Sequence, residues 1–216
     1  MSKQETVHRY IDLTQVDPLR DAAHDRPLRY DSLGRRLRDE LLIILGIDLG
    51  LRANELRGLK QSMFRLSEGE VTIPGHAQKD YPNENLSPGS VTMRLDPFGH
   101  FGTIRLLRSY FNSEWYQERE SDYVFPSRQS DQMTTESMRN VVEDLAVHAD
   151  ITVHRSDGEP ADPSEFHPHA LRHSLSNYML GDSSDTENIR LMDVRNRLRH
   201  RSVSTTERVY DHFQRR

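Results

Sequence analysis

Four separated stretches hold side chains that could act on a charged substrate. GLRANEL places Arg52 just after an apolar run and a glycine, with Glu55 three residues on. HAQKDYPNENLSPG is a polar loop that carries Lys79. HPHALRHSL carries His169, Arg172 and His173. LRHRSVSTTERVYDHF holds His200 and Tyr210, with Arg199, Arg201 and Arg208 around them.

Each stretch has an ordinary reading when taken alone. Arg52 could be a surface cation paired with Glu55 at the i,i+3 spacing. His169 and His173 stand four apart, the spacing of a two-histidine metal site, but such a site needs further ligands. No HExxH glutamate accompanies them. The same helix could simply pack through Leu171, Leu175 and Tyr178 with its histidines at the rim. His200 could sit at a helix C-terminus and interact with the dipole.

Taken together, they describe a site for a phosphodiester. Arginine forks pair bidentately with phosphate oxygens and stay charged. They suit the extra charge of a pentacoordinate transition state. Tyrosine, with a pKa of about 10, is a poor nucleophile until its proton is removed or its phenolate is held by cations. Histidine suits that proton transfer near neutral pH. A lysine could protonate the departing sugar oxygen. Guanidinium groups supply the electrostatics, so neither metal nor cofactor is required.

Charge distribution supports a polyanionic partner more than total charge does. The 216-residue chain has a formal net charge of −5. From residue 186 onward, eight arginines face four acids, so that end is net +4 and the remainder near −9. Only Lys3, Lys60 and Lys79 are lysines, so 26 of the 29 basic residues are arginine. The chain has no cysteine, which excludes disulfides and thiolate chemistry. No window approaches the roughly 18 apolar residues of a membrane span, and the first residues lack the apolar run of a signal peptide. The chain reads as soluble and intracellular.

The elements that must position these groups are mostly helical. Residues 1–35 are polar, with prolines at 18 and 27, and read as an N-terminal arm. LRDELLIILGIDLG reads as a strongly apolar helix ending at Gly50, and ANELRGLK as a short second one. SMFRLSEGEVTIPG predicts two short strands turning at Glu68-Gly69, with SVTMRLDP as a third. IRLLRSYFNSEWYQERE and TTESMRNVVEDLAVHA read as helices, RSDGEPADPSE as a polar loop, and HALRHSLSNYML as a buried helix. Capping boxes at Ser184/Glu187 and Ser204/Glu207 predict two last helices. The fold class is mainly α with a small antiparallel β-sheet (α+β).

The order and spacing of the boxes resemble the tyrosine recombinases of the phage integrase family. GLRANELRGL resembles the segment around that family's first catalytic arginine, here Arg52. HPHALRHSLSNYML resembles its His-x-x-Arg box, here His169 and Arg172. LRHRSVSTTERVYDH resembles the third box, with His200 and the nucleophile Tyr210. The family often has Leu-Gly-His where this chain has Leu198-Arg199-His200. The resemblance covers about residues 36 to 213.

The resemblance implies a catalytic domain over 36–216 and a site-specific recombinase acting on double-stranded DNA. It implies that Tyr210 attacks a phosphate to give a 3′-phosphotyrosine link. Arg52, Arg172 and His200 would hold that phosphate. Lys79 would be the general acid and His169 the acid/base near Tyr210. Glu55 and His173 would support the site, and Arg199, Arg201 and Arg208 would face DNA. A homo-oligomer follows as well, a tetramer on DNA and a monomer or dimer free. Most members carry an N-terminal helical clamp, for which the first 35 residues are too short. A type IB topoisomerase-like nicking-closing enzyme and a non-cleaving DNA-binding relative are the alternatives.

Overall fold

A computed structural model describes residues 7–78, 89–181 and 187–199. Lys79, His200, Arg201, Arg208 and Tyr210, with both predicted caps at Ser184 and Ser204, lie outside the described residues.

The centre of the molecule is helix α2 (Leu33–Asp48), buried on all sides from Leu37 to Asp48. The apolar run from Leu41 to Ile47 covers its whole circumference, so this part must be surrounded. Its neighbours are α1 (Val16–Asp25), α3 (Ala53–Arg57), α4 (Thr103–Phe111), α5 (Glu114–Gln117), α6 (Thr135–His148) and α7 (Pro168–Gly181). Ser32 caps α2 by accepting from the Arg35 amide at 3.3 Å. The charges α2 buries are paired. Asp39 takes both Arg26 and Arg38, and Glu40 takes Arg20 and His24. Unpaired, each carboxylate would carry a desolvation penalty of several kcal/mol.

Contact between α2 and α7 is close because of one glycine. A Cβ on Gly46 would lie 2.5 Å from Leu171 Cδ1. The missing side chain seats Leu171 against α2 and so brings Arg172, the next residue, to the helix's C-terminal end. Helix α8 (Glu187–Leu198) packs on α7 through a small second core of Leu175, Leu180, Val194 and Leu198.

The described strands form two sheets, not one. The predicted hairpin is present as β2 (Phe64–Arg65) and β3 (Glu70–Ile73), turning at Gly69 with φ of +69°; β4 (Val91–Arg94) extends it. Val71, Ile73 and Met93 face the core, while Thr72 and Thr92 pair on the outer face at 3.0 Å. The second sheet joins β1 (Arg9–Tyr10), β5 (Val153–Arg155) and β6 (Pro160–Ala161). β5 runs into the stretch read above as a loop, and β6 lies inside it. They are only two or three residues long and one contains a proline, so no alternation marks them.

Residues 9–25 do not form a separate arm. Tyr10, Ile11, Val16 and Leu19 are in the main core, and the Ile11 amide donates to Ser174 Oγ of α7 at 3.0 Å. The period-3 and period-4 spacing of Val16, Leu19, Ala22 and Ala23 carries the signal for this helix. Pro18 falls in its first turn, where a missing N–H costs nothing. Among the described residues no helix is long and apolar enough to cross a membrane.

Candidate active site

The site is built around the turn that ends α2. Gly50 has φ of +57°, and a Cβ there would lie 2.5 Å from Leu198 Cδ2 and 3.0 Å from Leu175 Cδ2. The chain therefore reverses tightly beneath α7 and α8, and it presents the Gly50 carbonyl to them. Arg172 Nη1 donates to that carbonyl at 2.5 Å, and Arg172 Nη2 to the Leu198 carbonyl at 2.5 Å. One guanidinium thus ties α7, the α2–α3 turn and the end of α8 together. Gly50→Ala should destabilise the fold by about 3 kcal/mol, from left-handed strain of ~1–2 kcal/mol plus displaced packing. Thermal melting checks this, with an expected drop of roughly 6–10 °C.

Arg52 precedes α3, where its amide donates to Glu55 Oε2 at 2.8 Å, one arm of a capping box. Its guanidinium lies 3.5 Å from Glu55 Oε1 and is 24% exposed. Glu55 itself is fully buried. Arg172 is 3% exposed. Burial, then the positive charges of Arg52 and Arg199, lower its pKa to about 9, so it stays charged at neutral pH.

The histidines form a row beside these arginines. His173 is buried, with its ring 4.2 Å from that of His8 and 4.5 Å from that of His169. Its Nε2 has no hydrogen-bond partner. His169 keeps one edge in solvent, but the surrounding protein still desolvates its ring. That desolvation, with Arg172 next in effect, lowers its pKa to about 4. Burial, then His169, pushes His173 well below the usual imidazole range. Both rings are neutral in the fold at pH 6, whereas the unfolded chain takes up protons near 6.5. Stability should therefore fall as the pH drops from about 7 toward 4. Melting curves across that range check this, and His169→Gln should flatten part of the slope.

Arg199 departs from its expected place on a DNA-facing surface. Its side chain is 5% exposed, and Nη2 pairs with Glu55 Oε2 at 2.7 Å. Nη1 reaches the Leu49 carbonyl at 3.1 Å. Its φ is +54°, just past the end of α8, the position where helices commonly end in glycine. Glycine adopts such a left-handed backbone without penalty, whereas arginine does so at a cost. Left-handed strain of about 1–2 kcal/mol is offset by the buried ion pair and the carbonyl contacts.

Arg197 is a positioning residue that the motif reading passed over. Its Nη2 bonds Asp48 Oδ1 and the Asp48 carbonyl, both at 2.6 Å, and Nη1 bonds the Arg94 carbonyl at 2.7 Å. Asp48 also accepts from the Asp96 amide and Thr103. This network locks the end of α8 onto α2 and the first sheet. The signal available was a buried acid at the end of an apolar helix. Lys60 lies 3.6 Å from Asp122 and over the Tyr123 ring. Among the described residues, no three metal-ligating side chains gather.

Arg52, Glu55, His169, Arg172 and His173, drawn from two distant segments, thus meet at one place with Arg199. The profile of the phage integrase family matches residues 9–216.

The chain belongs to the phage integrase family.

Among similar proteins is the tyrosine recombinase XerD of Shewanella oneidensis, 29% identical over 181 residues, covering 82% of this chain and 50% of the relative. Tyrosine recombinase XerC of Oceanobacillus iheyensis is 24% identical over 180 residues, covering 81% and 49%. This integrase-family chain therefore spans about half the length of those relatives. Its fold is that of the XerA recombinase, with a TM-score of 0.65 at 19% identity, covering 93% of this chain and 59% of that one. A lambda integrase dimer bound to a COC′ core site gives a TM-score of 0.65 at 12% identity, covering 99% and 51%.

Proposed function

We propose that the chain is the catalytic part of a site-specific recombinase that cleaves and rejoins double-stranded DNA. The observation that carries this reading is the meeting of Arg52, Arg172 and a neutral His169 at the Gly50 turn, within a chain of this family. A buried guanidinium, Arg172, and a partly exposed one, Arg52, make a cradle for a scissile phosphate. Relatives named as tyrosine recombinases, and the lambda integrase bound to a core site, support DNA as the substrate.

The chemistry then runs as follows. The Tyr210 oxygen attacks phosphorus while the bond to the 5′-oxygen breaks. The phenol proton passes to His169, which is uncharged at neutral pH. Lys79 supplies a proton to the leaving 5′-oxygen. Arg52, Arg172 and His200 hold the phosphate oxygens as negative charge builds. The phosphotyrosine link stores the bond, and attack by a 5′-hydroxyl from either duplex restores it. Arg201 and Arg208 supply phosphate contacts along the backbone. Residues 36–216 form the catalytic domain together with the packed segment 9–25. Assembly as a tetramer on DNA belongs to the same reading, as does action in the cytoplasm.

The test is covalent trapping on a nicked duplex that carries the chain's own recombination site. Wild-type protein is expected to form an adduct, and with two intact sites to exchange strands. No adduct rejects the reading; relaxation of supercoils without exchange reassigns the chain to a topoisomerase-like activity.

A further inference from the structure

Glu55 is shared by two cations. Its Oε2 accepts from the Arg52 amide at 2.8 Å and from Arg199 Nη2 at 2.7 Å. Its Oε1 has no hydrogen-bond partner and lies 3.5 Å from Arg52 Nη1. The carboxylate is fully buried, so its charge needs a close partner. Arg199 is that partner, held from behind by the Leu49 carbonyl at 3.1 Å and the Met93 sulfur at 3.1 Å. Arg52 is left with a looser contact and a partly exposed fork.

We propose that Arg199 is a positioning residue, which satisfies Glu55 and thereby leaves the Arg52 guanidinium free to grip the substrate phosphate. Without it, Arg52 would be the one cation left within ion-pair distance of Glu55 among the described residues. The carboxylate would draw that fork inward and cancel its charge. The inference rests on the recombinase reading above. It also gives the non-glycine residue at this left-handed position a job that glycine could not do: a charge is delivered to a buried acid from the far side. Arg199 does not touch substrate in this scheme and acts only through Glu55 and Arg52.

Single-turnover cleavage of the nicked duplex, measured beside DNA affinity and melting temperature, tests this. Arg199→Met keeps the same backbone strain and most of the volume, and should slow cleavage by roughly tenfold or more with affinity changed by less than about threefold. Arg199→Lys should recover most of the rate, because charge rather than shape is required. The decisive variant is Glu55→Gln combined with Arg199→Met. Glutamine can still accept from the Arg52 amide but no longer pulls on its guanidinium. The double variant should cleave faster than Arg199→Met alone, whatever its melting temperature. A double variant no faster than Arg199→Met overturns the inference, as does an Arg199→Met protein that cleaves at the wild-type rate. Adduct formation by wild-type protein and none by Tyr210→Phe show that the underlying reading holds in the same assay. Failure of the wild-type control overturns both.

Discussion

Tyr210→Phe is expected to abolish the covalent protein–DNA adduct while leaving DNA affinity within about twofold of wild type. Removing one oxygen removes the only atom that can form the phosphotyrosine bond. The arginines, which dominate phosphate affinity, remain in place. Losing a covalent nucleophile typically costs a factor of at least ~10³, which places residual cleavage below detection in a trapping assay. Denaturing electrophoresis of the trapped complex reads the adduct, and a filter or gel-shift assay at fixed salt reads affinity. An adduct that persists in the variant assigns the nucleophile to another side chain.

Arg172→Ala loses both activity and stability, for separable reasons. Two carbonyls, those of Gly50 and Leu198, lose a donor inside the protein. Each buried acceptor left unpaired costs about 1–3 kcal/mol, and the cavity adds to that. A total of about 3–5 kcal/mol lowers the melting temperature by roughly 10 °C or more. Arg172→Lys restores a charge but not the planar fork that spans both carbonyls. Its melting temperature should fall between those of wild type and the alanine variant. Cleavage in the lysine variant should remain down by about 10²-fold, since a point charge cannot replace bidentate contacts in the transition state. Measuring rate at a temperature well below both melting points separates the catalytic loss from unfolding. A lysine variant that cleaves at the wild-type rate would show that Arg172 is structural only.

The helices carrying the motifs were readable because their signals are local. The apolar run from Leu37 to Leu49 announces a surrounded helix, and Ser32 and Thr134 cap as their residue types predict. The second sheet was not readable, because each of its strands is too short to show alternation and its edge comes from residues 9 and 10. Proline at 18 disguised α1, although it falls where a helix tolerates it. Arg199 illustrates the limit most clearly. Its neighbours in sequence are basic, which suggested a DNA-facing surface. Its φ of +54° turns the side chain back into the protein toward Glu55, 144 residues away in sequence.

By itself the sequence determined the chemistry on offer: arginines, histidines and a tyrosine in an order that belongs to one family, with no thiol. Side-chain type and local spacing decide that much, since they are properties of the chain before it folds. Tertiary structure decided which of those charges stand together and which cancel. It put the Gly50 turn under α7, gave Arg172 two carbonyls to bridge, and left two histidines neutral among cations. The physical reason is that burial and long-range pairing set the energy of a charge, and both depend on contacts that span more than a hundred residues.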